Sequence, residues 1–147
     1  MFWQGLLFLV FLATLDVSTA ENWETPTFKY YFHTESKETW DKAEQICEDM
    51  GGFLVIISNA LEDKYVLNKC GNTCWLGGRI KKGTDEQSRR NEKLFKWIDN
   101  SSMEYTNWKK DEPINNGRKY ECMRMDKNGW STSKCDRKYH FACKKLA

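Results

Sequence analysis

Histidine is nearly absent from this chain. His33 and His140 are the only two in 147 residues. Both fall in stretches of strand-like composition, and neither stands in a His-Glu-x-x-His or comparable setting, so a half-buried packing role is the ordinary reading. No glycine-rich phosphate loop occurs, and no pair of acids has a spacing that sets two carboxylates across one substrate. A small hydrolase would lack its histidine-acid or histidine-metal centre, and the chain is expected not to be an enzyme. Also missing is any segment after Leu15 apolar enough to cross a bilayer. Neither sign of charge dominates: 23 Lys and Arg stand against 21 Asp and Glu. That balance is too mild to specify nucleic acid as a partner.

The apolar run that does occur lies at the start. Leu6 to Leu15 is almost unbroken, and Ser18-Thr19-Ala20 places small residues where a signal peptidase reads, so residues 1–20 are expected to be a signal peptide. The expected product is secreted and extracellular, begins near Glu21, and is one domain over residues 21–147. Removing Asp16 with the leader takes the acids from 21 to 20 against 23 bases, a formal charge of +3. A domain of this length buries roughly two-thirds of its unfolded surface.

Cysteine is plentiful where histidine is scarce. Cys47, Cys70, Cys74, Cys122, Cys135 and Cys143 all follow the leader, and an even count in a small secreted domain implies disulfides and leaves no thiol nucleophile. Zinc, the competing use, wants two close couples, and only Cys70 and Cys74 form one.

Along the chain, Thr27 to His33 is an aromatic-rich opening strand. Trp40, Ala43, Cys47 and Met50 then recur at helical spacing, with Asp41 in the first turn and Gly51-Gly52 past the end, so an amphipathic helix turns Cys47 to the core. Phe53 to Ile57 has strand length. Asn59 and Glu62 have the form of a capping box, and Leu61 and Tyr65, one turn apart, mark a second helix of about ten residues that ends before Gly71. Cys74 to Ile80 is a strand with close backbone approach at Gly77 and Gly78. Lys81 to Lys96 is a polar loop or ragged hairpin whose charges read as solvated. Asn100-Ser101-Ser102 is an N-glycosylation sequon in a turn. Glu112 to Gly117 is a display loop, Tyr120 to Met125 a strand, and Asp126 to Gly129 the turn before Trp130. Two early helices followed by short strands indicate an α+β fold.

The order of landmarks is more specific than any one of them. Trp40-x2-Ala43-x3-Cys47, Gly52-x-Leu54, the Asn59 helix, Trp75-Leu76-Gly77-Gly78, Phe95-x-Trp97, Asn107-Trp108, Glu112-Pro113, Cys122, Gly129-Trp130, Cys135 and Cys143 together resemble the C-type lectin-like domain across nearly the whole mature chain. The resemblance implies a disulfide-stabilised fold of two helices, short antiparallel sheets and a long loop region that carries the ligand site. It also implies bridges from Cys47 to Cys143 and from Cys122 to Cys135. Cys70 and Cys74 have no counterpart in that pattern, and a local bridge between them is the first expectation, intermolecular pairing the second.

Sugar-binding members of the family hold a Ca²⁺ with five side chains. By matching position Glu112 is kept, whereas Ile114, Tyr120, Ser131 and Thr132 stand where the family has Asn, an acid, Asn and Asp. Calcium wants six to eight oxygens, and Ile114 has none in its side chain, so Glu112 is the one metal candidate at the usual place. Asn115, Asn116, Glu121 and Asp126 are the alternative cation ligands. Two ligand classes follow. A glycan would stack on Tyr120 and bond to Glu112, Asn115 and Asn116; a protein or acidic polymer would meet Lys109, Lys110, Arg118 and Lys119. Trp75, Trp97, Trp108 and Trp130 read as packing residues that hold the loops.

Overall fold

The computed structural model describes residues 27–80, 92–114 and 119–147. The expected leader, residues 81–91 of the expected polar loop, and Asn115, Asn116 and Arg118 of the display loop lie outside them. In chain order the elements are β1 (Phe28–Glu38), α1 (Trp40–Asp49), β2 (Phe53–Leu54), α2 (Ala60–Cys70), β3 (Thr73–Ile80), a 3-10 turn (Glu92–Leu94), β4 (Phe95–Trp97), β5 (Cys122–Asp126), β6 (Gly129–Ser133) and β7 (Tyr139–Leu146). One sheet runs β1-β7-β3-β5-β6, with β2 beside β7 and β4 beside β3. Every pairing is antiparallel except β3 with β7, which is parallel at Cys74↔His140 and Trp75↔Phe141. That pairing joins the half of the sheet that holds both ends of the described chain to the half that carries the long loop. Among the described residues no helix is long and apolar enough to cross a membrane.

The first helix forms where its spacing predicts. Thr39 caps it by accepting from the Lys42 N–H, and Trp40, Ala43 and Cys47 form its buried face. The Trp40 indole donates to the Leu76 carbonyl at 2.8 Å, which fixes α1 across the sheet. The apolar run Phe53 to Ile57 is a strand only at its first two residues, because Val55 to Ile57 are buried in irregular chain between β7 and β3. There the Val55 N–H donates to Ala142 and its carbonyl accepts from Gly77, both under 3 Å. Gly77 is required at this crossing: a Cβ on it would lie 2.2 Å from the Leu54 carbonyl oxygen.

The second helix departs from its sequence pattern. Leu61 and Tyr65, the apolar pair that signals it, are exposed at 82% and 43%, while Glu62 and Asp63 are buried with Val66 and Cys70. The inverted face is stable because both acids meet donors. Glu62 accepts from Lys144 Nζ at 2.5 Å, Tyr30 OH at 2.6 Å and the Ser58 N–H at 2.7 Å. The last of these replaces the expected return bond to the Asn59 N–H, although Asn59 does cap the helix by accepting from Glu62. Lys144 is 3% exposed and its ammonium sits 4.4 Å from the centroid of the Phe28 ring. Burial first, and then the Glu62 hydrogen bond and charge, raise the Tyr30 pKa, so the phenol stays a donor.

Three disulfides join Cys47 to Cys143, Cys70 to Cys74 and Cys122 to Cys135, and no described cysteine is free. The first closes a separation of 96 residues, for which chain entropy supplies about 4–5 kcal/mol. The second ties the end of α2 to the start of β3, with Cα atoms 5.9 Å apart.

Candidate functional site

The long-loop face is built on Trp130. Its ring is fully buried and meets the edges or faces of Trp97, Tyr105 and Trp108 at centroid distances of 5.5, 5.7 and 5.9 Å. Its indole N–H donates to Asp63 Oδ1 at 2.6 Å, and Asn107 Nδ2 donates to Asp63 Oδ2 at 2.8 Å. Two backbone bonds, from the Trp130 N–H to Asn107 and from the Lys109 N–H to Trp130, then carry the loop along the start of β6. One carboxylate from α2 thus holds both the β6 tryptophan and the loop that precedes the display turn. The tryptophans are packing, as the family resemblance implies: Trp75, Trp97 and Trp130 are buried and Trp108 is half-buried.

Glu112 precedes Pro113 through a cis peptide bond and is only partly exposed. Its Oε2 accepts from the Ile114 N–H at 3.0 Å, the Thr132 N–H at 3.1 Å and the Thr132 hydroxyl at 2.8 Å. That hydroxyl is also 2.8 Å from the Ile114 carbonyl and can serve one acceptor at a time. The result is a closed latch between the display loop and β6. Thr132 aims a hydroxyl proton and an amide proton at Glu112.

The residues present do not fit calcium at this position. Ile114 contributes no side-chain oxygen, one Glu112 oxygen already faces three donors, and the Ser131 hydroxyl is buried without a partner. Among the described residues no group of three or more His, Cys, Asp or Glu could hold a metal. Asp126, an alternative ligand on sequence grounds, is engaged by an ion pair with Lys109 and accepts from the Asn128 N–H at 2.9 Å. Burial alone would raise its pKa; the Lys109 hydrogen bond, the Asn128 amide and the charges of Lys109 and Arg124 outweigh that and hold it low. The same pair takes Lys109 out of the expected basic rim. Lys110 and Lys119 are exposed, and Tyr120 is half-buried just ahead of β5.

Sequence reasoning missed Asp63, an acid in the first turn of α2. It also missed the Glu112–Thr132 pairing, since register between residues twenty apart is decided by the strand path. A signal for the latter existed: threonine keeps an oxygen donor-acceptor where asparagine or aspartate is lost.

The family model described as the lectin C-type domain matches residues 36–145. The human low affinity immunoglobulin epsilon Fc receptor is 30% identical over 130 residues, covering 86% of this chain and 38% of that protein. The chain therefore spans well under half of that relative's length. Among solved structures, the cow C-type carbohydrate-recognition domain of CD23 in the presence of a GlcNAc2Man3 oligosaccharide superposes with a TM-score of 0.70 at 26% identity, covering 84% of this chain and 91% of that one. A calcium-independent type II antifreeze protein superposes with a TM-score of 0.71 at 25% identity, covering 84% and 89%.

Proposed function

This chain belongs to the C-type lectin domain family, and from that premise we propose that it is a secreted binding protein that takes carbohydrate on its long-loop face without a calcium bridge. The observation that carries the proposal is the latch: the carboxylate that would grip the ion is satisfied by Ile114 and Thr132. Among the described residues all three donors reach Oε2, and Oε1 is the oxygen offered to a sugar hydroxyl. Tyr120 supplies a ring for stacking, and Asn115 and Asn116 supply amides that both donate and accept. Cleavage of residues 1–20 near Glu21 delivers the domain outside the cell. The role is binding and not catalysis. His33, one of the two candidate bases, stacks on Phe141 at 4.3 Å with its Nε2 buried, and burial lowers its pKa.

A second reading, a protein or acidic polymer on the same face, is favoured by exposed Lys110 and Lys119 flanking the display loop. The likeness to an antifreeze protein supports a non-carbohydrate use of this frame. A glycan-array screen of the oxidised, secreted chain, run with calcium and again with EDTA, separates the readings. Equal binding to neutral glycans in both buffers is expected. Binding that EDTA abolishes would overturn the calcium-free latch, and binding confined to sulfated glycans that falls with salt would move the assignment to the basic flank.

A further inference from the structure

A cleft of about 670 Å³ lies between the acidic flank of α1 and the turn that follows β4, and none of the latch residues lines it. Its volume is in the range of small-molecule sites, about 300–1,000 Å³. One wall carries Glu44 and Glu48, another Arg79 and Lys96, and Trp97 and Ile98 line its apolar part. On its rim sits the sequon. Asn100 turns the chain with φ 63°, its N–H donating to the Trp97 carbonyl at 3.1 Å. Asn100, Ser101 and Ser102 are all exposed. Ser101 is held by Asp99 through its backbone amide and its hydroxyl, while neither the Asn100 side-chain amide nor the Ser102 hydroxyl takes a hydrogen bond among the described residues. Two smaller hollows, of about 280 and 360 Å³, also border Ser102, but Asn100 lines neither.

We propose that the cleft is the seat of the chain's own N-linked glycan: the first N-acetylglucosamine on Asn100 folds back into it and bonds to the Glu44, Glu48 and Arg79 side chains. The inference rests on the secretion reading above, because attachment needs the secretory route. There the Asn100 side-chain nitrogen forms a bond to the anomeric carbon of a lipid-pyrophosphate-linked oligosaccharide, loses a proton, and the lipid pyrophosphate leaves. The fit is chemical as well as spatial. A hexosamine presents hydroxyl donors, an acetamido group and an apolar ring face, and the cleft offers carboxylate acceptors, the Arg79 guanidinium, which Asp41 engages at Nη1 at 2.8 Å and whose Nε is buried without a hydrogen-bond partner among the described residues, and the isoleucines Ile80 and Ile98. Glu44 and Glu48, one turn apart on the same helix, are a like-charge pair that hydroxyl donors between them would relieve. Occupation of the cleft by a tethered sugar also closes it to diffusing ligands and leaves the long-loop face as the open one.

The test uses the full chain secreted from mammalian cells as a high-mannose glycoform. Intact mass should show a chain that starts near Glu21 with Asn100 occupied. An endoglycosidase that leaves a single N-acetylglucosamine should not change the melting temperature, whereas complete removal, or Asn100→Gln, should lower it by about 2–4 °C. In Glu48→Ala, at an exposed helical position, the gap between the one-sugar and stripped forms should fall by half or more. Three glycoforms that melt alike, a gap unchanged in Glu48→Ala, or a secreted chain bare at Asn100 would each overturn the proposal and leave secretion standing. A chain retained in the cell with residues 1–20 attached would overturn both.

Discussion

The helix α2 carries two buried carboxylates and the display loop one half-buried carboxylate, each accepting hydrogen bonds, and the two regions do different work. Glu62 and Asp63 receive from Tyr30, Lys144, Asn107 and Trp130, partners 32 to 82 residues away in the chain. Glu112 receives from Ile114 and Thr132, 2 and 20 residues away. The first pair ties β1, β7, α2 and the base of the long loop into one body; the second closes one loop against one strand. Charge buried in a frame is tolerated when its partners are part of the frame, and the loop carboxylate is satisfied by one threonine and a neighbouring amide.

The sharpest way to break this comparison is Lys144→Ala, which leaves Glu62 buried without its cation and should destabilise the fold by about 3–5 kcal/mol in urea unfolding. A loss under about 1 kcal/mol would place the frame network among ordinary surface pairs. The complementary change rebuilds the loop: Ile114→Asn, Tyr120→Glu, Ser131→Asn and Thr132→Asp together restore the residue types of the family's calcium-binding members beside Glu112. That variant should gain about 2.7 kcal/mol with calcium at a hundredfold excess over Kd, read as a rise in melting temperature, while the unaltered chain stays flat. A calcium-dependent rise in the unaltered chain would erase the difference between the two regions.

Glu44 gives the smallest and most graded comparison, since it is half-buried and accepts from the Leu54 N–H at 2.8 Å. Burial raises its pKa to about 7, the Leu54 bond opposes the rise, and the Glu48 charge adds to it. Because the folded value lies above the unfolded one, near 4.5, this group's stabilising contribution is complete below about pH 4.5 and is lost as pH rises through 7. Glu44→Gln, which keeps an acceptor for Leu54, should therefore stabilise the protein at pH 8 by about 1 kcal/mol, less than the full shift because part of the carboxylate faces solvent. It should change little at pH 4.5. Equal melting temperatures for the two proteins at both pH values would remove Glu44 from this account.

The helix over Trp40–Asp49 was legible because its apolar residues recur with the period of the element and its cap and stop residues are local. The α+β class and the family were legible from ordered landmarks that each serve local geometry, such as Gly77 at the crossing of β3 over Leu54. The α2 face was not, because hydrophobicity names Leu61 and Tyr65 as the inner pair while the donors that make Glu62 and Asp63 acceptable inside come from β1, β7 and β6. The candidate site was half legible: the resemblance let the expected calcium-ligand positions be compared residue by residue, but the hydrogen bonds that Glu112 accepts could not be read in advance.

The sequence by itself determined which residues would be helical and the order of landmarks, from which the family resemblance implied two of the three bridges and a change of residue type at four of the five calcium-ligand positions. Only the tertiary structure decided that Thr132 closes on Glu112, that acids and a lysine share the interior, and that the sequon overhangs a cleft. The reason is range: caps, periods and residue types act over a few positions, whereas a hydrogen bond between Lys144 and Glu62 exists only once strands far apart in the chain have been brought side by side.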